Sequence, residues 1–117
     1  MSGPRGAVVP LPEVDGVRVL RATGDLDVRS VPPLLDEVPA LVEGARAVVL
    51  DLSEVPFFDS SGVRLLDRVA RTCGSSGVAF RAVAPPSSPP RRVLDLVGMT
   101  ALLASDDLPA ALERVRP

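Results

Sequence analysis

Apolar residues along the chain switch repeatedly between strand-like runs and helix-like stripes. Ala7 to Leu11 and Val17 to Ala22 are short β-like runs on either side of Pro12-Glu13-Val14-Asp15-Gly16. Within that connection Asp15-Gly16 is a hairpin turn signal. A polar loop follows, Thr23-Gly24-Asp25-Leu26-Asp27, and Ser30 then stands before Val31, Pro32 and Pro33 as an N-cap stands before a first turn that tolerates proline. Leu34, Leu35, Val38, Leu41 and Val42 make one apolar stripe at helical spacing, which Gly44 is placed to end. Pro39 interrupts this stripe. A proline inside a helix removes a hydrogen bond and clashes with the preceding turn at about 3 kcal/mol, which predicts a kink or an early end there.

Ala47 to Leu52 is nearly continuous in apolar residues and reads as a central strand covered on both faces. Pro56-Phe57-Phe58 comes next, just ahead of Asp59-Ser60-Ser61-Gly62. Gly62, Leu65, Leu66, Val69, Ala70 and Cys73 then form the clearest stripe, with Arg64, Asp67, Arg68 and Arg71 on the other side and Gly74 closing the helix. A strand is predicted over Val78 to Ala84. Ser88-Pro89 opens a third helix carrying Val93, Leu94 and Val97, which Gly98 stops. A short strand over Ala101 to Ala104 and a last helix from about Asp107 to Val115, capped by Ser105 or Asp106, complete the pattern. Strands and helices alternating in this way predict an α/β fold: a mixed, mostly parallel sheet of about four or five strands with about four helices packed on it.

A length of 117 residues allows one hydrophobic core and not two. Residues 7–117 are therefore expected to form a single domain, preceded by a loose tail over residues 1–6. No apolar run reaches the roughly 20 residues that span a bilayer, and the N-terminus lacks the apolar core of a signal peptide, so no membrane association and a cytoplasmic location are expected. The lone Cys73 falls on an apolar stripe and reads as a small core residue.

His, Lys, Trp and Tyr are absent. Without His there is no Ser-His-Asp or Cys-His arrangement and no imidazole for a metal; without Lys there is neither a Schiff base nor a Walker-type phosphate loop. These absences argue against an enzyme, and no cofactor or metal site is expected. A phosphotransfer receiver would share the topology but needs a lysine that this chain lacks. The net charge of −2, with 13 Arg scattered among 15 acidic residues and 3% aromatics, argues against direct nucleic-acid binding. Reliance on Arg alone, with abundant Ala, Val and Pro, points to a GC-rich bacterial genome.

Asp59-Ser60-Ser61-Gly62, set between a buried strand and an amphipathic helix, resembles the corresponding segment of STAS domains in bacterial anti-sigma factor antagonists. The resemblance extends to Gly24-Asp25-Leu26-Asp27, to Val49-Leu50-Asp51-Leu52-Ser53, and to Val93-Leu94 with Leu96, Val97 and Gly98, covering roughly residues 16–115. It implies a STAS fold and a protein that binds an anti-sigma factor, itself a serine kinase of the GHKL type, and so frees a sigma factor. It further implies that the kinase phosphorylates the serine directly before the glycine, Ser61, with Ser60 the second choice. A metal-dependent serine phosphatase would reverse the modification. Asp25, Asp27, Asp59, Ser60, Ser61, Gly62, Val63 and Arg64 are the implied partner-binding residues, with Gly62 leaving room for a partner backbone.

The residues make such a switch physically reasonable. A phosphoserine at a helix N-terminus meets unpaired N–H groups and the positive end of the helix dipole, so the fold tolerates it. The roughly 1.5 to 2 negative charges it adds then act on docking by repulsion and desolvation. Plainer roles compete: Asp59 and Ser60 as helix caps, Asp25 and Asp27 as solvators of a turn, Arg64, Arg68 and Arg71 as a solvated face. Gly24-Asp25 stands where Gly-Glu is more usual, and Arg64 where a small residue is common, which leaves the identity of the cognate kinase open. The alternative function is a STAS adaptor that binds its partner without phosphoregulation, in a lipid-transport or stress-signalling complex.

Overall fold

The computed structural model describes residues 3–116. The elements run β1 (Ala7–Pro10), β2 (Arg18–Thr23), α1 (Val31–Val42), β3 (Ala47–Glu54), α2 (Ser60–Ser75), β4 (Ala79–Val83), α3 (Pro89–Val97), α4 (Thr100–Leu103), β5 (Ala104–Ser105) and α5 (Leu108–Val115). The strands lie in the order β1-β2-β3-β4-β5, with β1 antiparallel to β2 and every later pair parallel. The Asp15-Gly16 signal is realised as a two-residue reversal: both residues have positive φ, 52° and 79°, and Val14 and Val17 exchange both backbone hydrogen bonds across it.

β3 is the middle strand, and its first six residues are all buried. Alternation along it sends Val48, Leu50 and Leu52 to one face and Ala47 and Val49 to the other. The first face meets the stripes of α1 and α2 and Leu94 of α3, in one cluster with Leu20, Ala22 and Ala82. The second is covered by α5, whose Ala111 and Val115 pack on Val17, Ala47, Val49 and Val83. Farther along this second face Asp51 is buried, bonded to the Arg21 guanidinium at 3.3 Å and to the Ser53 N–H at 2.9 Å.

Several local expectations give way to packing. α1 runs through Pro39 to Val42 without ending early, because Pro39 lies on the exposed side while Val38 and Val42 on either side of it are buried in the core. Ser30 makes no side-chain cap; its hydroxyl donates instead to the Asp25 carbonyl at 2.6 Å, and Asp27 takes up the free N–H groups ahead of α1. α2 continues past Gly74 to Ser75, and the chain reverses at Gly77, where φ is +70°. α5 is capped by Asp107, whose Oδ1 accepts from the Ala110 N–H at 2.9 Å, rather than by Ser105 or Asp106.

The predicted strand over Ala101 to Ala104 is mostly helical: Thr100–Leu103 form the single turn α4, leaving β5 with two residues. The cause is Arg81 on β4. Its buried guanidinium donates to the carbonyls of Ala101, Leu102 and Ala104 and to the Ser105 hydroxyl, at 2.7 to 3.3 Å, and so satisfies the free end of that turn. Burial draws the Arg81 pKa down from its ordinary value, with the charge of Arg114 acting the same way.

The segment expected as a loose tail lies partly against the loop after β2. The Asp25 N–H donates to the Pro4 carbonyl at 2.8 Å, Arg5 pairs with Asp25 as an isolated bridge, and Gly6 is buried. A Cβ at Gly6 would meet the Asp25 carbonyl oxygen at 2.4 Å, which explains the glycine. Met1, Ser2 and Pro117 lie outside the described residues.

Cys73 is fully buried, and burial pushes its thiol up to about 11. In the folded protein at neutral pH it is therefore expected to resist a thiol-disulfide reagent, reacting only as denaturant opens the core. Rapid labelling under native conditions, followed by absorbance of the released thiolate, would contradict this placement.

Candidate functional site

In a parallel sheet each crossover helix begins where the preceding strand ends. β3 therefore delivers Val55 to Asp59 to the C-terminal edge of the sheet, where α2 begins. Asp59 is the N-cap of α2, in an extended conformation, and its Oδ1 accepts from the Ser61 N–H at 2.8 Å. Its carbonyl accepts from the Val63 N–H at 3.1 Å. One short acidic side chain thus fixes the first turn and the direction of Ser61. Ser60 is exposed and Ser61 half-buried; Val63 packs partly against the core, and Arg64 is exposed.

Gly62 has a role that the sequence does not disclose. A Cβ there would lie 2.6 Å from ring carbons of Phe58, so the space beside Gly62 is filled from within. The expectation that this glycine leaves room for a partner backbone is corrected accordingly. Phe58 is buried, and Phe57, next to it, is 47% exposed.

The loop after β2 reaches the same edge. Leu26 pairs with Phe58 in a parallel bridge, and its N–H donates to the Phe57 carbonyl at 2.9 Å, fastening the 24–27 loop to the segment that leads into Ser61. The side chains on that loop are committed locally. Asp25 is buried with its carboxylate beside Gly3, where a Cβ would meet Oδ2 at 2.5 Å. Asp27 Oδ1 accepts from the N–H groups of Arg29 and Ser30, each at 3.0 Å. These bonds, that from Ser30 foremost, hold the Asp27 carboxyl below its ordinary value. Of the three acids expected near Ser61, Asp59 is the one bonded to it.

Two residues outside the expected partner-binding set stand out on this edge. Val28 is 77% exposed between Asp27 and Arg29, and Phe57 projects from the other loop. The available signal was alternation: Phe58 goes into the core, so Phe57 goes out. For Val28 the sequence carries no such signal, since its exposure follows from the Asp27 turn.

The STAS domain family model described as Mlab matches residues 11–104. The chain belongs to the STAS family. It is 33% identical over 100 residues to the anti-sigma-F factor antagonist RsfB of Mycobacterium tuberculosis (strain ATCC 25618 / H37Rv), covering 85% of this chain and 80% of that protein. An anti-sigma factor antagonist from Mycobacterium paratuberculosis has a crystal structure similar to this one, with a TM-score of 0.77, 30% identity, and coverage of 95% of this chain and 96% of that one. The unphosphorylated anti-sigma factor antagonist SpoIIAA shares the fold, with a TM-score of 0.72 at 21% identity over 94% of this chain and 96% of that one. Five strands in a mixed sheet with five helices, among the described residues, are thus the STAS architecture in this chain.

Two outcomes follow from the geometry. Gly62→Ala is expected to destabilise the protein by about 1–3 kcal/mol in urea unfolding, through overlap with Phe58. Because folding lowers the Asp27 pKa, the stabilisation from its charge is complete above the ordinary carboxylate range and is lost as pH falls through the lowered folded value. Asp27→Asn should therefore be less stable than the native protein at neutral pH and approach it as pH falls through that window. A difference independent of pH would remove the charge from the account.

Proposed function

We propose that this STAS domain, over residues 7–117, binds an anti-sigma factor with serine kinase activity, and that phosphorylation of Ser61 ends the binding. The observation that carries the reading is the Asp59 cap. It sets Ser61 in the first turn of α2, half-exposed, at the edge where two loops converge. The resemblance to anti-sigma factor antagonists along most of the chain supports the same partner class. The surface residues proposed for docking are Ser60, Ser61, Val63 and Arg64 with Asp59; Asp25, Asp27 and Gly62 serve the same surface by shaping it.

The local chemistry gives the switch its sign. The Ser61 N–H is already taken by the Asp59 carboxylate, so a phosphate on Ser61 adds a second anion to a helix end that one anion already occupies. Like-charge repulsion turns the phosphate outward, toward solvent and partner. Ser61 is only half-buried at the start of α2, so the modification leaves the fold in place and acts on docking. A partner surface that covers Ser61 must strip water from the dianion, and the complex dissociates. A metal-dependent phosphatase restores the binding form, and the cycle belongs in the cytoplasm, where kinase and ATP are available. Among the described residues no helix is long and apolar enough to cross a membrane. In this reading the chain is a regulatory binder and not an enzyme.

Intact mass after incubation with ATP and the kinase-type anti-sigma factors of the source organism tests the proposal. The native protein is expected to gain one phosphate, and Ser61→Ala to gain none while still binding. Loss of phosphate gain in Ser60→Ala alone would move the site to Ser60. Binding without phosphate gain would establish the unregulated STAS adaptor instead.

A further inference from the structure

We infer that Phe57 and Val28 form an apolar anchor that holds the anti-sigma factor on the unphosphorylated protein, an inference that rests on the function proposed above. The chain has 3 Phe residues, and one of them is spent on the surface, 47% exposed, four positions before Ser61. Val28, on the adjoining loop, is 77% exposed. Neither is outside for lack of a settled backbone. The Phe57 carbonyl is held by the Leu26 N–H, Phe58 is pinned between Leu26 and Gly62, and the Asp27 carboxylate fixes the turn that carries Val28. Both side chains are presented on a rigid frame, which lowers the entropy lost on docking.

The position selects the occupant. Phe57 stands two residues before Asp59 in the segment that leads into Ser61, and Val28 follows the 24–27 loop that the Leu26–Phe57 hydrogen bond fastens to that segment. Carboxylates flank these two residues in the chain: Asp27 directly before Val28, and Glu54 and Asp59 on either side of Phe57. Asp27 and Glu54 are paired with Arg29 and Arg21, while Asp59 has no ion pair among the described residues. The complementary surface is an apolar recess with a cationic group on the side that meets Asp59. Aromatic residues seated in such recesses, ringed by polar contacts that exclude water, dominate interface energies. A dry contact beside Ser61 also explains why a phosphate there would be decisive, since the anion would have to lose its hydration.

A further exposed apolar residue, Leu102, belongs to a different part of the sheet. Leu102, 76% exposed, lies in α4 ahead of the marginal strand β5, which pairs with β4 and not with β2 or β3. It supplies a control of equal hydrophobic character.

Titration calorimetry of the full chain against the purified kinase-type anti-sigma factor that binds the native protein distinguishes the cases. Phe57→Ala is expected to weaken binding about 10- to 30-fold, the scale of an interface aromatic truncation, with the unfolding midpoint unchanged. Val28→Ser should weaken it several-fold, and Leu102→Ser should leave it unaltered. Native affinity in Phe57→Ala, or an equal loss in Leu102→Ser, overturns the anchor while leaving the proposed function standing. If no kinase-type anti-sigma factor of the source organism binds the native protein, the proposed function fails and the anchor fails with it.

Discussion

Burial of β3 on both faces is the constraint on which the rest of the structure depends. Six consecutive residues of this strand are removed from water, so each face must be matched by a layer of its own: α1, α2 and α3 on one side, α5 on the other. Its neighbours β2 and β4 are then held parallel at fixed register, and the loops that leave β2 and β3 emerge side by side. The meeting of Leu26 with Phe57 and Phe58 is a consequence of that register. Ser61 owes its position to the central strand β3, which delivers the segment leading into α2 to that edge.

Much of this was legible because the signals were strong and local. The continuous apolar run of β3, the Asp15-Gly16 reversal, the Ser88 and Gly98 bounds of α3 and the stripe of α2 each follow from the residues that make them. What escaped depended on contacts between distant segments. A run of small apolar residues at 101–104 reads as a strand until Arg81, 20 residues earlier, takes its carbonyls and stabilises a helical turn. Pro39 signals a break until the buried residues on either side hold the helix together. At the candidate site the Asp59–Ser61 relation was visible in the order of residues. The commitment of Asp25 to the N-terminal segment and of Asp27 to α1 was not, since nothing in Gly-Asp-Leu-Asp says which acid turns inward.

Under the proposed function, shape and switching fall on separate residues at this edge of the molecule. Phe58, Gly62, Leu26 and Asp27 build the frame, with their groups buried or bonded. Ser60, Ser61, Arg64, Phe57 and Val28 ride on it with few internal obligations. Chemistry at the second set can therefore change without disturbing the first, which is what a reversible modification requires of a small domain. The substitution of Asp25 for a longer acid fits the same division: the residue is buried, and its length is set by the space beside Gly3 rather than by a partner.

The two outer strands, finally, are unequal to the task of recruiting further strands. β1 has four residues and ends on Pro10, which has no N–H to offer a neighbour, and β5 has two, with the Ala104 carbonyl already engaged by Arg81. A sheet so blunted at both margins gives another copy little to zip onto. Under the proposed function, margins that disfavour strand-to-strand pairing between copies leave the protein available for its partner.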